Sequence, residues 1–262
     1  MTTALLVGSS SDALATELNR RIGAIATESV QARGVFTVAV SGGSMPKILS
    51  GLAGAEGVDW SKTKIYFADE RCVPLDHSDS NYKAWEGLFS SSGIPKENVV
   101  PVKTELPPEQ AAADYEITLK EAFTPSSSSS DFPCFDAVLL GVGPDGHTCS
   151  LFPSHALLEE RSKWVAHIED SPKPPPRRVT LTFPVLNNSR NVMFIGTGGG
   201  KASLLPQLVC VGGDGALKST GESSPFPAAR VTVGEGRSLA WCVDEAAASQ
   251  CPPEVMALAT KC

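Results

Sequence analysis

Short apolar runs of strand length alternate along this chain with longer stretches in which apolar residues recur every three or four positions. Ala4-Leu5-Leu6-Val7 predicts a first strand, and Leu14, Leu18, Ile22, Ile25 and Ala26 predict a helix with one face on a sheet. Gly8-Ser9-Ser10-Ser11-Asp12 supplies the turn and cap before that helix, which should run to about Arg33 and stop at Gly34. Val35-Phe36-Thr37-Val38-Ala39-Val40 is apolar nearly throughout, as expected of a strand in a parallel sheet covered on both sides. Further strands are predicted at residues 64–67, 135–140, 164–168, 177–181, 191–195 and 238–243, the last leading into a C-terminal helix from Asp244. Two more helices follow from the cap Asp79-Ser80-Asn81, running through Trp85 and Leu88, and from Pro107 and Pro108, with Ala111, Tyr115 and Leu119 on one side.

This order of elements predicts an α/β fold with a mainly parallel sheet. Residues 124–130, with five consecutive serines, predict a surface loop without a catalytic role, and the Gly- and Ser-rich residues 212–224 predict another. The alternation of strands and helices resumes after the serine tract, so one domain spanning residues 1–262 is expected.

Composition narrows the function classes. At 262 residues, with 42% hydrophobic and 19% charged residues, the chain has the balance of a globular protein with a sizeable core. A formal net charge of −7 argues against a nucleic-acid surface, although local cations can still bind a small anion. The seven cysteines are scattered and show no C-x-x-C spacing, which predicts reduced thiols and no metal cluster. No leader pattern and no apolar run of membrane-spanning length is present, so a cytoplasmic protein without membrane contact is expected.

The candidate chemistry lies where predicted strands end. Gly141-Val142-Gly143-Pro144-Asp145-Gly146-His147 follows a buried strand, and in an open α/β sheet that position is where ligands bind. His147 is a candidate general base and Asp145 its partner; a surface turn with a capping Asp and a solvated His is the alternative. Ser41-Gly42-Gly43-Ser44-Met45-Pro46 and Gly196-Thr197-Gly198-Gly199-Gly200-Lys201 are Gly-rich strand-to-helix turns whose N–H groups suit an anion. Neither is a nucleotide-binding fingerprint. Arg71 follows a third strand beside Asp69 and Glu70, as a clamp for phosphate or as part of a solvated ion-paired loop. Arg177 and Arg178, delivered by the prolines at 172 and 174–176, read as exposed.

Taken in order, these motifs resemble the 6-phosphogluconolactonase family over nearly the full length. Phe67-Ala68-Asp69-Glu70-Arg71-Cys72-Val73-Pro74, Asp79-Ser80-Asn81-Tyr82, residues 141–153, the Pro-rich entry to Arg178-Val179-Thr180, Gly200-Lys201-Ala202 and Pro227-Ala228-Ala229-Arg230 carry the resemblance, together with Ser41-Gly42-Gly43-Ser44. It implies a Rossmann-like fold with helices on both faces of the sheet, and hydrolysis of a small sugar-phosphate lactone without a metal or organic cofactor. It also implies His147 as the general base, oriented by Asp145, with Arg71 as a further catalytic candidate. The phosphate would lie against Ser41, Gly42, Gly43 and Ser44, with Arg71, Arg178 and Lys201 supplying charge; Arg177 competes with Arg178, and Ser44 replaces a frequent Thr. Oligomeric state is open, with a monomer as the starting assumption. A glucosamine-6-phosphate deaminase is the enzymatic rival, disfavoured by Arg71 where Tyr is usual and by Leu151-Phe152-Pro153 where a Glu would precede the proline. A non-catalytic sugar-phosphate sensor is the other alternative.

Overall fold

The computed structural model describes residues 2–123 and 132–262, so the serine tract lies outside the described residues. Twelve strands are described: β1 (Thr2–Gly8), β2 (Phe36–Val40), β3 (Thr63–Phe67), β4 (Asp69–Arg71), β5 (Ala137–Leu140), β6 (Val165–Ile168), β7 (Arg178–Leu181), β8 (Asn191–Gly196), β9 (Val209–Val211), β10 (Leu217–Ser219), β11 (Ser238–Asp244) and β12 (Thr260–Lys261). Seven form one sheet in the order β12-β1-β11-β8-β5-β2-β3, and every pairing within it is parallel. The principal helices are α1 (Ser11–Arg33), α2 (Met45–Ile48), α3 (Asn81–Ser92) and α4 (Pro108–Phe123).

Neighbouring residues of each central strand enter opposite cores, because successive side chains leave a strand on opposite faces. Leu6, Val38, Phe67, Leu139, Ile195 and Cys242 pack with Leu14, Leu18 and Ile22 of α1 and Trp85 and Phe89 of α3. Their neighbours Leu5, Ala39, Tyr66, Val138, Phe194 and Trp241 pack with Ala111, Tyr115 and Leu119 of α4. This two-sided burial is why the strands read as continuous apolar runs. Helix α1 starts where the Ser10 side chain accepts the Ala13 N–H at 3.1 Å and ends at Gly34, whose φ of 78° allows its N–H to reach the Val30 carbonyl.

Four expectations change. The charges after β3 do not lie in a solvated loop: Asp69–Arg71 is strand β4, paired antiparallel with β7 in a second sheet of order β4-β7-β6. Residues 212–224 contain β10, which closes a hairpin with β9 around Gly215 at φ 74°. Strand β11 is not the last, since β12 adds to the outer edge of β1 through Leu6↔Thr260 and Val7↔Lys261. That pairing satisfies backbone groups on an open edge and needs no apolar pattern. Finally, Arg177 is exposed whereas Arg178 is buried.

Candidate active site

Strands β2 and β5 are neighbours, but the chain leaves β2 for β3 on one side and β5 for β8 on the other. Diverging connections open a crevice at the carboxyl ends of the strands, the usual ligand position in such sheets. Residues 41–44 leave β2 there and residues 141–147 leave β5. With β4 and the turn after β8 they enclose a cavity of about 200 Å³, lined by Ser41, Gly42, Gly43, Ser44, Asp69, Arg71, Gly143, His147, Cys149 and Lys201 among others.

His147 Nδ1 lies 2.5 Å from Asp145 Oδ1. The turn that makes this contact is closed by Gly143 N–H donating to the His147 carbonyl at 2.9 Å and by Gly146 at φ 76°. Asp145 also accepts a bond from Lys173 Nζ at 2.9 Å. Burial pushes the Asp145 carboxyl up, but the bonds from Lys173 and His147 outweigh it and hold the group down at about 2. A carboxylate on Nδ1 fixes the tautomer with the proton there and leaves Nε2 as the basic nitrogen. Burial, the largest influence, lowers the imidazole's pKa below its ordinary value of 6.5 against the raising effect of Asp145, so His147 is neutral at neutral pH. The pair therefore has the geometry and charge state of an oriented general base.

The glycine turn after β2 is held from behind. Trp85 Nε1 donates to the Ser41 carbonyl at 2.8 Å, and a Cβ on Gly42 would overlap the Asn81 side chain. The N–H groups of Gly42, Gly43 and Ser44 donate to no group among the described residues, and Ser44 makes no side-chain cap bond. Ser41 lines the cavity with its hydroxyl donating to Asp69 Oδ1 at 2.6 Å and its N–H to the Leu139 carbonyl. Asp69, buried in the cavity wall, also accepts from Ser150 Oγ and Asn81 Nδ2.

The β4–β7 register pairs Arg71 with Arg178, and the Arg71 charge is felt by the Arg178 guanidinium. Arg71 lines the cavity, anchored by Nη1 to the Asp79 carbonyl at 2.7 Å, while its buried Nε has no partner among the described residues. Arg178 does not line the cavity. Its Nε donates to the Pro175 carbonyl and its Nη2 to those of Lys173 and Pro174, at 2.9, 3.0 and 3.1 Å. Lys201 enters from the turn after β8, half-buried and without a hydrogen-bond or ion-pair partner among the described residues. Burial lowers its pKa, and the Lys173 charge adds to that. Glu70 is fully buried outside the cavity, accepting N–H bonds from Arg71, Asn81 and Tyr82 and an O–H bond from Ser80.

Three contributors escaped sequence reading. Lys173 sits between prolines, a setting that signals a rigid loop but not its direction. Asp244, ending β11, accepts the Gly198 N–H at 2.9 Å and so fixes the second glycine turn. Phe152 lies 4.7 Å from the His147 ring. Cys149 also lines the cavity, but burial drives its thiol pKa well above the ordinary value, which makes it a poor nucleophile. Among the described residues, no group of three or more His, Cys, Asp or Glu side chains is placed to hold a metal ion.

Residues 9–241 match the family model described as glucosamine-6-phosphate isomerases/6-phosphogluconolactonase. Human 6-phosphogluconolactonase is 46% identical over 223 residues, covering 83% of this chain and 81% of that protein. A protein of Oryza sativa subsp. indica named probable 6-phosphogluconolactonase 4, chloroplastic, is 41% identical over 253 residues, covering 94% of this chain and 76% of its own. The structure of 6-phosphogluconolactonase from Trypanosoma cruzi superposes with a TM-score of 0.78 at 27% identity, covering 95% of this chain and 97% of that one. The match of sequence over most of the chain, and of fold over nearly all of it, shows that this chain belongs to the 6-phosphogluconolactonase family, within the wider group of glucosamine-6-phosphate isomerases and lactonases.

Proposed function

We propose that this protein hydrolyses 6-phosphoglucono-δ-lactone to 6-phosphogluconate, the lactone-opening step of the oxidative pentose phosphate pathway, with His147 activating water. The observation that carries the reading is the contact of His147 Nδ1 with Asp145 in a cavity that also presents Gly42–Ser44 N–H groups, Arg71 and Lys201. A neutral His147 takes a proton from water through Nε2 as the water attacks the lactone carbonyl. Asp145 stabilises the imidazolium that forms. The tetrahedral oxyanion is met by preorganised donors, for which the glycine-turn N–H groups and Arg71 are available. Collapse breaks the bond to the ring oxygen, and His147 returns the proton to it. The phosphate, held by Lys201 and by those of the Gly42, Gly43, Ser44 and Arg71 donors that do not meet the oxyanion, positions the carbonyl through binding energy remote from the reacting bond. Arg178 acts in this scheme mainly by holding the proline loop, with only Nη1 left unpartnered among the described residues.

The same reading takes the enzyme as a cytoplasmic monomer, which size-exclusion chromatography with light scattering and localisation of a tagged chain would check. No described helix is long and apolar enough to cross a membrane. The deciding experiment measures opening of 6-phosphoglucono-δ-lactone, generated in situ, against the spontaneous rate, with glucosamine 6-phosphate as a parallel substrate. Acceleration of lactone opening alone is expected. Ammonia release from the amino sugar would move the assignment to the deaminase type, and sugar-phosphate binding without turnover would make the protein a sensor.

A further inference from the structure

Lys173 lies in the Pro-rich entry to Arg178-Val179-Thr180, where the sequence assigns it no chemistry, yet its ammonium lies against both members of the dyad. Nζ is 2.9 Å from Asp145 Oδ1 and 3.2 Å from His147 Nδ1. Resting on the lactonase reading above, we propose that Lys173 is a positioning residue: it secures Asp145 as the acceptor of the Nδ1 proton and keeps the imidazole neutral, with Nε2 as the base.

The proton arrangement follows from the three distances. If Nδ1 carried its lone pair, that lone pair would face a carboxylate oxygen 2.5 Å away, an arrangement that repels. With the proton on Nδ1, Asp145 Oδ1 accepts from the ring and from Lys173 at once. Lys173 then cannot donate to the ring, and its charge beside Nδ1 opposes a second positive charge there.

The loop is built to hold that charge in place. Arg178 reaches the carbonyls of Lys173, Pro174 and Pro175, Ser171 Oγ donates to the Lys173 carbonyl at 2.8 Å, and Ser171 N–H donates to the Pro176 carbonyl at 3.1 Å. Prolines on both sides of Lys173 remove further backbone freedom. An ordinary surface lysine would lose side-chain entropy to make such a contact and gain little. Here the main chain is fixed independently of Asp145, and the ammonium has only its own side chain to order.

Other charges around the imidazole define the contest. Asp145 on the same turn and Asp69 on β4 favour the imidazolium, whereas burial and Lys173 oppose it. Lys201 faces Asp145 and Lys173 from the turn after β8, and Arg178 lies behind Phe152, 5.6 Å from that ring. Lys173 is the cation nearest the ring nitrogen. Its consequence is twofold: the base is unprotonated when water binds, and once protonated it is a stronger acid toward the departing ring oxygen.

The test uses the full chain with Lys173→Met, Lys173→Gln and Lys173→Arg, following the His147 imidazole by NMR titration and kcat/KM for 6-phosphoglucono-δ-lactone against pH. In Lys173→Met the His147 titration should move to higher pH. The acid limb should follow, with kcat/KM near pH 6 falling on the order of tenfold while KM stays within about twofold, since the change acts through protonation of the base. Lys173→Arg should restore both readouts, and Lys173→Gln reports the loss of charge if the Met variant does not fold. An unchanged His147 titration in a folded neutral variant, or an equal loss at every pH that Arg does not rescue, would overturn the proposal. If the wild-type protein fails to open the lactone, the functional reading falls, while the NMR titration still decides whether Lys173 controls the imidazole.

Discussion

A Cβ placed on Gly143 would overlap the imidazole of His147 and come within 2.7 Å of Asp145 Oδ1, so this glycine is the floor on which the imidazole rests. Its backbone conformation is open to any residue, and the requirement is for space alone. Gly143→Ala should push His147 off Asp145 in a protein that still folds. A displacement near 1 Å is expected to lower kcat on the order of 10²-fold. Steady-state kinetics with a crystal structure of the variant would check it; unchanged kcat would mean that the ring can shift without consequence.

The protonation of His147 should govern the acid limb of the pH profile. Because burial holds its pKa below 6.5, the neutral base persists to lower pH than an ordinary histidine, and kcat/KM should rise through a limb below pH 6.5 and be level at neutrality. Asp145→Asn removes a charge that favours the imidazolium, so the limb should move to still lower pH. The plateau should fall about 10²- to 10⁴-fold as the tautomer and orientation are lost. A limb that moves upward in this variant would contradict the assigned pair.

Lys201 is a partly desolvated cation without a protein partner among the described residues, the state of a group kept for a ligand's charge. Lys201→Met should raise KM for the phosphorylated lactone about 10- to 100-fold, the loss of one charged hydrogen bond. KM for unphosphorylated gluconolactone should barely change. The melting temperature should hold or rise, because an unpaired half-buried charge has been removed. Equal effects on both lactones would place Lys201 away from the phosphate.

Glu70 ties β4 to the start of α3 through N–H bonds from Asn81 and Tyr82 and an O–H bond from Ser80, and also accepts the Arg71 N–H of its own strand, in a site closed to solvent. Burial raises its pKa, against the N–H groups of Asn81, Tyr82 and Arg71. Glu70→Gln turns an amide NH₂ toward groups that are themselves donors, and is expected to cost about 3 kcal/mol of stability. Urea denaturation would measure it. Turnover per folded molecule should change little, since the side chain is not in the cavity; a selective loss of turnover at unchanged stability would assign Glu70 a part in the chemistry.

The sequence determined the layered fold and the positions at which chemistry is possible. Central strands buried on both faces must be apolar nearly throughout, so β2, β5 and β8 were visible as runs, and α1 was bounded by Ser10 and Gly34 because caps are local. His147 and Asp145 were legible for a similar reason, being two residues apart in a turn that glycine closes. What the tertiary structure decided is every relationship between distant segments. Arg71 and Arg178 both read as phosphate cations, and only folding paired them across β4 and β7 and gave the Arg178 guanidinium to the carbonyls of the proline loop. That the Ser41 hydroxyl donates to Asp69, 28 positions away, was likewise set by folding. Lys173, 26 positions from His147, reached the imidazole only through chain folding. Hydrogen bonds and charges act over a few ångströms of space, and residue type with local spacing carries no record of which distant group will occupy them.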